Sequence, residues 1–231
     1  MQKPEWEIGK DEFFRRLNLT ERDFEARLSL PDIKTVTRVL PLRDLANIES
    51  VVPLSQALLL EIVSKIKTFD GQLPFKNSKI VPYKVDPLNL KIGQKFAYRE
   101  NYQGLLETLP NIFNKYYIAG GLGDLGAYLF TGIDAEKKFA MAFYLPPIIE
   151  QHDSDLVIMD GIHRNYLNKQ TGSTTFAIVV KNVSVEFPCG HRDWDDMQII
   201  SLDQKPKDIN ERYFNLQKNL FRDLKFLGID G

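Results

Sequence analysis

The stretch Asp155-Leu-Val-Ile-Met-Asp160-Gly-Ile-His-Arg164-Asn-Tyr-Leu-Asn-Lys169-Gln-Thr-Gly172-Ser-Thr-Thr-Phe-Ala-Ile-Val-Val-Lys181 decides the fold. Leu156–Met159 is a short apolar run, as a buried strand requires. Asp160-Gly161 is a tight turn in which glycine lets the backbone approach a neighbour closely. Gly161–Lys169 reads as a helix ending near Thr171-Gly172, and Thr174–Val183 is a long β-branched strand. A helix that starts in a turn aims its unpaired N–H groups at whatever sits there, which suits an anion. His163 and Arg164 lie in its first turn, where a cation opposes the helix dipole unless an anion or carboxylate compensates it.

Working outward, Lys79–Val85 reads as a strand and Asp86-Pro87 as a turn. Tyr98–Tyr116 is helical, with Pro110 breaking or kinking it. Phe139–Leu145 is another strand, closed by Pro146-Pro147. Upstream, Asp11 is placed to cap Glu12–Leu17, and Thr20-Glu-Arg-Asp23 resembles a capping box leading into Phe24–Leu28. Lys34–Leu40 alternates like a short strand. Pro53 sits at the start of a helix Leu54–Phe69, whose Leu58, Ile62 and Ile66 recur four residues apart. The tail, Ile209–Leu227, has the period of an amphipathic helix, with Arg212, Lys218, Arg222 and Lys225 among its charges; it covers its own domain or docks on a partner. Alternating strands and helices predict an α+β (mixed α/β) protein: a mainly helical region at 1–77, a small mixed sheet with flanking helices at 78–190, and a loop plus helix at 191–231.

Composition narrows the function classes. The 231 residues carry 30 basic and 31 acidic side chains, a net charge of −1, so the chain is not built to coat nucleic acid or a membrane. The start is polar and no run approaches 18 apolar residues, so a soluble, cytoplasmic protein is expected, with no membrane partner. Cys189 is the only cysteine, which excludes an intramolecular disulfide and a cysteine zinc cluster.

The turn and helix hold the candidate site. Arg164 offers a fork of donors suited to phosphate oxygens, or it pairs with a surface carboxylate. Asp160 either holds Mg²⁺, directly or through water, or caps the helix. His163 is an acid–base candidate or a satisfied, half-buried histidine.

Strand, Asp160-Gly-Ile-His-Arg164, helix and strand together resemble the ParB/sulfiredoxin superfamily, whose members carry Gly-x-x-Arg or Gly-x-His-Arg after a strand. Val81-Pro-Tyr-Lys-Val-Asp-Pro-Leu88 resembles the family's opening strand and turn. The resemblance covers residues 155–183 firmly. It implies a nucleoside triphosphate, ATP or CTP, with its phosphates on Gly161, Ile162, His163, Arg164 and Asn165, and Mg²⁺ on Asp160. It further implies hydrolysis or transfer of the terminal phosphate to a small acceptor, as in a kinase, with Asp160 and His163 as catalytic candidates. The alternative is a non-catalytic nucleotide- or DNA-binding module of a modification, partition or defence system. Sulfiredoxins carry cysteine directly before His-Arg; Ile162 stands there, so sulfinic acid reduction is not expected. Glu100 and Glu107 are candidates to take a hydroxyl proton in a kinase reaction.

Weaker signals remain. Gly120, Gly121, Gly123 and Gly126 crowd one stretch without the Lys-Ser/Thr of a phosphate loop, and read as a flexible loop or lid. His191-Arg192-Asp193 resembles a kinase catalytic loop without its later Asn, and reads as a polar loop; Asp193, Asp195 and Asp196 are distant candidates for Mg²⁺. His152, Asp153, Cys189 and His191 do not have structural-zinc spacing. Phe96, Tyr98, Tyr102, Tyr116 and Tyr117, with Lys95, Arg99 and Lys115, make a base-stacking patch or a helix core.

Overall fold

The computed structural model describes residues 4, 6–28, 33–115 and 126–229. The chain is α+β, as expected. It forms two compact units, each discontinuous in sequence: Met1–Lys67 with Gly126–Leu145 and Asp223–Gly231, and Thr68–Leu125 with Pro146–Arg222. The division thus runs through the sequence segments 78–190 and 191–231 instead of between them.

The unit that contains Asp160-Gly161 holds β1 (Lys79–Val85), β2 (Leu90–Ile92), β3 (Phe96–Tyr98), α1 (Arg99–Lys115), β4 (Ile148–His152), β5 (Asp155–Asp160), α2 (Ile162–Thr171), β6 (Thr175–Lys181) and β7 (Gln198–Ile200). Its main sheet runs β1-β6-β4-β5-β2. β4 and β5 form an antiparallel hairpin in register His152↔Asp155, turned by Asp153 at φ 52. Asp accepts this left-handed geometry more readily than most residues. β6 runs parallel to β4 and antiparallel to β1, while β5 is parallel to β2.

The apolar run in β5 is explained by burial on both faces, since successive side chains alternate. Ile158 and Leu156 pack with Ile149, Ile162 of α2, Val179 and Trp194 on one face. Val157 and Met159 pack with Phe187, Cys189 and Tyr213 on the other. Asp160, two residues after Ile158, shares the face that α2 covers.

The other unit has a sheet in which residues 8–9, 38–39, 139–144, 128–134 and 45–53 lie side by side in that order. Phe13, Phe14, Phe24 and Phe143 form its aromatic cluster, with Phe13 and Phe143 stacked at 5.3 Å. The helix Glu21–Ala26 begins as the sequence predicts, with the Thr20 hydroxyl accepting the Asp23 N–H at 3.1 Å.

Several expectations need correction. Region 1–77 is not mainly helical: Leu45–Pro53 is a nine-residue strand, its β-branched Ile48, Val51 and Val52 pairing with 128–134. Pro53 therefore ends a strand, and the helix is only Gln56–Ser64, capped by Ser55. The strand Lys34–Leu40 shrinks to Arg38–Val39. Gly9, not Asp11, caps the first helix. Pro110 lies within α1 without ending it. The tail helix Ile209–Leu227 is absent beyond Ile209–Arg212. Tertiary backbone bonds replace it: Phe214 N–H donates to Gly93 O at 3.1 Å, Gly190 N–H to Phe214 O at 2.7 Å, and Gln217 N–H to Pro188 O at 2.6 Å. Asn215, at φ 48, takes the left-handed turn between them.

Candidate functional site

The strand-to-helix corner requires glycine. Gly161 has φ +87, and a Cβ there would lie 2.7 Å from Pro147 Cβ. Pro147 is fixed in turn by the Ile178 N–H on its carbonyl at 2.8 Å. Gly161 is the N-cap of α2 and supplies no side-chain cap, and the first turn contains no acidic residue. The first intrahelical bond is Asn165 N–H to Gly161 O, at 3.0 Å. The N–H groups of Ile162, His163 and Arg164 precede it and carry the positive end of the dipole.

Asp160 and Arg164 are 6% and 8% exposed, and their carboxylate and guanidinium lie 3.3 Å apart, one helical turn from each other. Burial raises the Asp160 pKa, opposed by the Arg164 charge and by the Gly161 N–H. Asp160 is thus neither a helix cap nor paired across the surface; it is the buried counter-charge of Arg164. Among the described residues no group of three or more His, Cys, Asp or Glu is arranged to hold a metal ion. An Mg²⁺ on Asp160 would take its remaining oxygens from ligand phosphates and water.

His163 is held differently from a free acid–base catalyst. Its Nε2 accepts the Tyr98 backbone N–H at 3.0 Å, which assigns the ring proton to Nδ1. Burial first, then the Arg164 and Lys205 charges, pull its pKa down to about 4. The imidazole is neutral near pH 7, and its one basic nitrogen is already occupied. Asn165, 0% exposed, gives its amide N–H to Gly161 O at 3.0 Å, and its Oδ1 has no hydrogen-bond partner. Ile162 contributes its side chain to the core.

Sequence reasoning missed Lys205, which places its Nζ 5.2 Å from the Tyr98 ring centre. It follows the motif at long range in a Gln-Lys-Pro-Lys run that carries no signature, so only the fold reveals it. Of the proposed stacking patch, Tyr98 lies 6.0 Å from the His163 ring and Tyr102 lies 5.8 Å from Tyr166. Tyr166 in turn sits 6.3 Å from Trp194. Lys95 turns instead toward Phe214. Tyr116, Tyr117, Gly120, Gly121 and Gly123 lie outside the described residues. The Glu100 carboxylate accepts the Leu202 N–H at 2.7 Å, and Asp193 pairs with Lys91 at 2.6 Å.

Away from α2, a cleft of about 480 Å³ is lined by His152, Cys189 and His191 with Phe187 and Arg192. Each imidazole is held by a carboxylate, His152 by Glu150 at 2.8 Å and His191 by Asp155 at 2.9 Å. Burial pushes the Cys189 thiol up to about 12, which removes it as a nucleophile.

Comparison of the chain with protein-family models, with curated proteins and with solved structures finds no match in any of the three. No helix among the described residues is long and apolar enough to cross a membrane.

Proposed function

We propose that this is a nucleotide-binding protein of the ParB/sulfiredoxin type, taking ATP or CTP with Mg²⁺ at the start of α2. The observation that carries the reading is a helix N-terminus with no side-chain cap and no acidic residue, entered through a glycine turn and flanked by Arg164. Phosphate oxygens would accept from the N–H groups of the first turn and from the Arg164 guanidinium. If turnover occurs, a water or acceptor hydroxyl oxygen attacks the terminal phosphorus. The bridging oxygen then departs with the nucleoside diphosphate, and the attacking group's proton passes by way of Asp160 to solvent.

A second reading, a module that binds nucleotide or a DNA backbone without turnover, is favoured by the occupied Nε2 of His163. That bond leaves His163 a positioning role and places the whole burden of proton transfer on Asp160.

Calorimetric titration of ATP, CTP and GTP with Mg²⁺, into wild type and Arg164→Ala, tests both. Loss of one phosphate-clamping arginine is expected to weaken binding by roughly 1.5–3 kcal/mol. Circular dichroism of the variant separates lost binding from lost folding. Phosphate release then distinguishes the enzyme from the module, and a steep salt dependence of duplex binding marks DNA as the ligand. Folded wild type that binds no nucleotide ends the nucleotide reading.

A further inference from the structure

We infer that the cleft on the sheet face opposite α2 is a second, metal-independent site, in which His152 and His191 hydrolyse a phosphodiester as general base and general acid. The inference uses different residues from the nucleotide reading and stands or falls without it.

The sheet brings the two imidazoles to one end of one face. In the β4–β5 hairpin Glu150 pairs with Val157 and His152 with Asp155. Cross-strand partners share a face, and Val157 packs on the side away from α2, so both pairs lie there. The His152 Nε2 is 2.8 Å from Glu150, and its ring stands edge-on to Phe187 at 5.4 Å. His191 joins the same corner with its Nε2 2.9 Å from Asp155. Its backbone is fixed on both sides: Gly190 N–H donates to Phe214 O at 2.7 Å, and Arg192 exchanges two bonds of 2.9 Å with Ile92 of β2.

The carboxylates decide which nitrogen can react. Glu150 is fully buried and accepts Nε and Nη2 of Arg222 on its two oxygens, so it accepts from the His152 Nε2–H as well. An ionised Asp155 accepts from His191 in the same way. The lone pair of each neutral ring is therefore on Nδ1, which has no hydrogen-bond partner among the described residues. Both rings line the cleft and are partly open, at 18% and 34%. Of the cations nearby, Arg222 is held by Glu150 and Lys91 by Asp193. Arg192 is exposed at the rim and gives one N–H to the His191 carbonyl at 3.3 Å; the rest of its fork has no partner among the described residues. Glu186 adds a carboxylate to the rim.

These groups select the reaction. About 480 Å³ is the size of a small-molecule site. The described lining holds no serine, threonine or lysine, and burial keeps the Cys189 thiol un-ionised, so the attacking group is water. A single guanidinium matches the single charge of a phosphodiester, whose alkoxide leaving group needs a proton to depart. The neutral imidazole takes a proton from water at Nδ1 as the water oxygen bonds to phosphorus. The P–O bond to the leaving group breaks, and that oxygen takes the Nδ1 proton of the other, protonated imidazole. A phosphomonoester and an alcohol result, and exchange with solvent restores both rings.

The chain has three histidines, so proton NMR reads each ring separately. Dimethyl phosphate titrated in EDTA should shift His152 and His191, assigned with His152→Asn and His191→Asn, and leave His163 in place. In EDTA, wild type should hydrolyse the deoxydinucleotide TpT at a rate that passes through a maximum with pH, because one ring must be neutral and the other protonated. Each histidine variant, shown folded by circular dichroism, should lose about a hundredfold in kcat on TpT. Arg192→Ala should raise KM about tenfold and keep kcat. Bis(p-nitrophenyl) phosphate has a leaving group that departs without a proton. Only one of the two histidine variants should lose rate on it, which names the base, and a merely structural role would not split the two substrates. Wild type inert toward both diesters in EDTA overturns the inference, as does either histidine variant matching wild type on TpT, or a shift confined to His163.

Discussion

The Tyr98 backbone N–H donates to Nε2 of His163 at 3.0 Å, so one imidazole of α2 serves the backbone where β3 runs into α1. The bond needs the neutral ring. The folded pKa of about 4 lies below the ordinary 6.5, so between these values the unfolded chain binds a proton that the native protein refuses. Stability from this group is therefore full above pH 6.5 and is lost as pH falls toward 4, by up to about 3 kcal/mol. His163→Gln offers Tyr98 an amide oxygen that does not titrate. Urea midpoints from pH 7 to pH 4 should fall more steeply for wild type than for the variant. Parallel profiles would show that the imidazole is not held neutral.

Gly161 and Gly172 bracket α2, both at positive φ, but only one of them is crowded. A Cβ on Gly161 meets Pro147 at 2.7 Å, whereas nothing lies within 4 Å of one on Gly172. Gly172→Ala is thus expected to cost about 1 kcal/mol of backbone strain, and Gly161→Ala clearly more, about 3 kcal/mol, because Pro147 must also move. Thermal melts of the two variants measure the difference. Equal losses would mean that the Pro147 contact is slack and the corner needs glycine only for its dihedral angle.

What the sequence made legible was the segment where local and tertiary preferences agree. β5, α2 and β6 fall within a few residues of their expected bounds because the apolar run, the glycine corner and the β-branched run each match a buried position. The tail failed for the opposite reason. Its three- and four-residue spacing of Tyr213, Leu216 and Leu220 is real, yet Tyr213 and Leu216 bury their side chains against Cys189 and Phe187 from an irregular backbone. Periodicity reports which residues are buried, not which backbone bonds hold them. At the candidate site, the motif displayed the residues one turn apart, Asp160 with Arg164 and Gly161 with Asn165. It was silent on Tyr98 and Lys205, which arrive through strand pairing between distant segments.

Glu150 and Arg222 form a buried pair in which the arginine's donors are engaged. Nε and Nη2 meet the two carboxylate oxygens at 2.9 and 2.7 Å, and Nη1 and Nη2 donate to the carbonyls of Glu186, Leu220 and Val185. Removing either member leaves the other charged and buried without its counter-ion. Arg222→Leu or Glu150→Leu should therefore cost about 3–5 kcal/mol in denaturant unfolding. The double replacement should cost less than the sum, since it strands no charge. Additive losses would show that the pair's two ends are stabilised independently by their other bonds.

Cys189 gives the sharpest contrast between presence and reactivity. Its thiol sits against Gly93, 3.6 Å from the carbonyl oxygen, and burial lifts its pKa to about 12. An ordinary thiol near 8.5 is substantially ionised at pH 8, whereas this one would be thiolate in only about one molecule in ten thousand. A disulfide reagent such as dithionitrobenzoate at pH 8 should therefore leave native protein unmodified over minutes. In guanidinium the same sample should release one equivalent of chromophore, as the single cysteine of the sequence requires. Cys189→Ser keeps the volume nearly constant but buries a stronger polar group, so modest destabilisation is expected while nucleotide binding at α2 is retained. Rapid native labelling would mean that the segment around Phe187 and Cys189 opens readily. The adjoining His152–His191 cleft would then have to be treated as a site that changes shape.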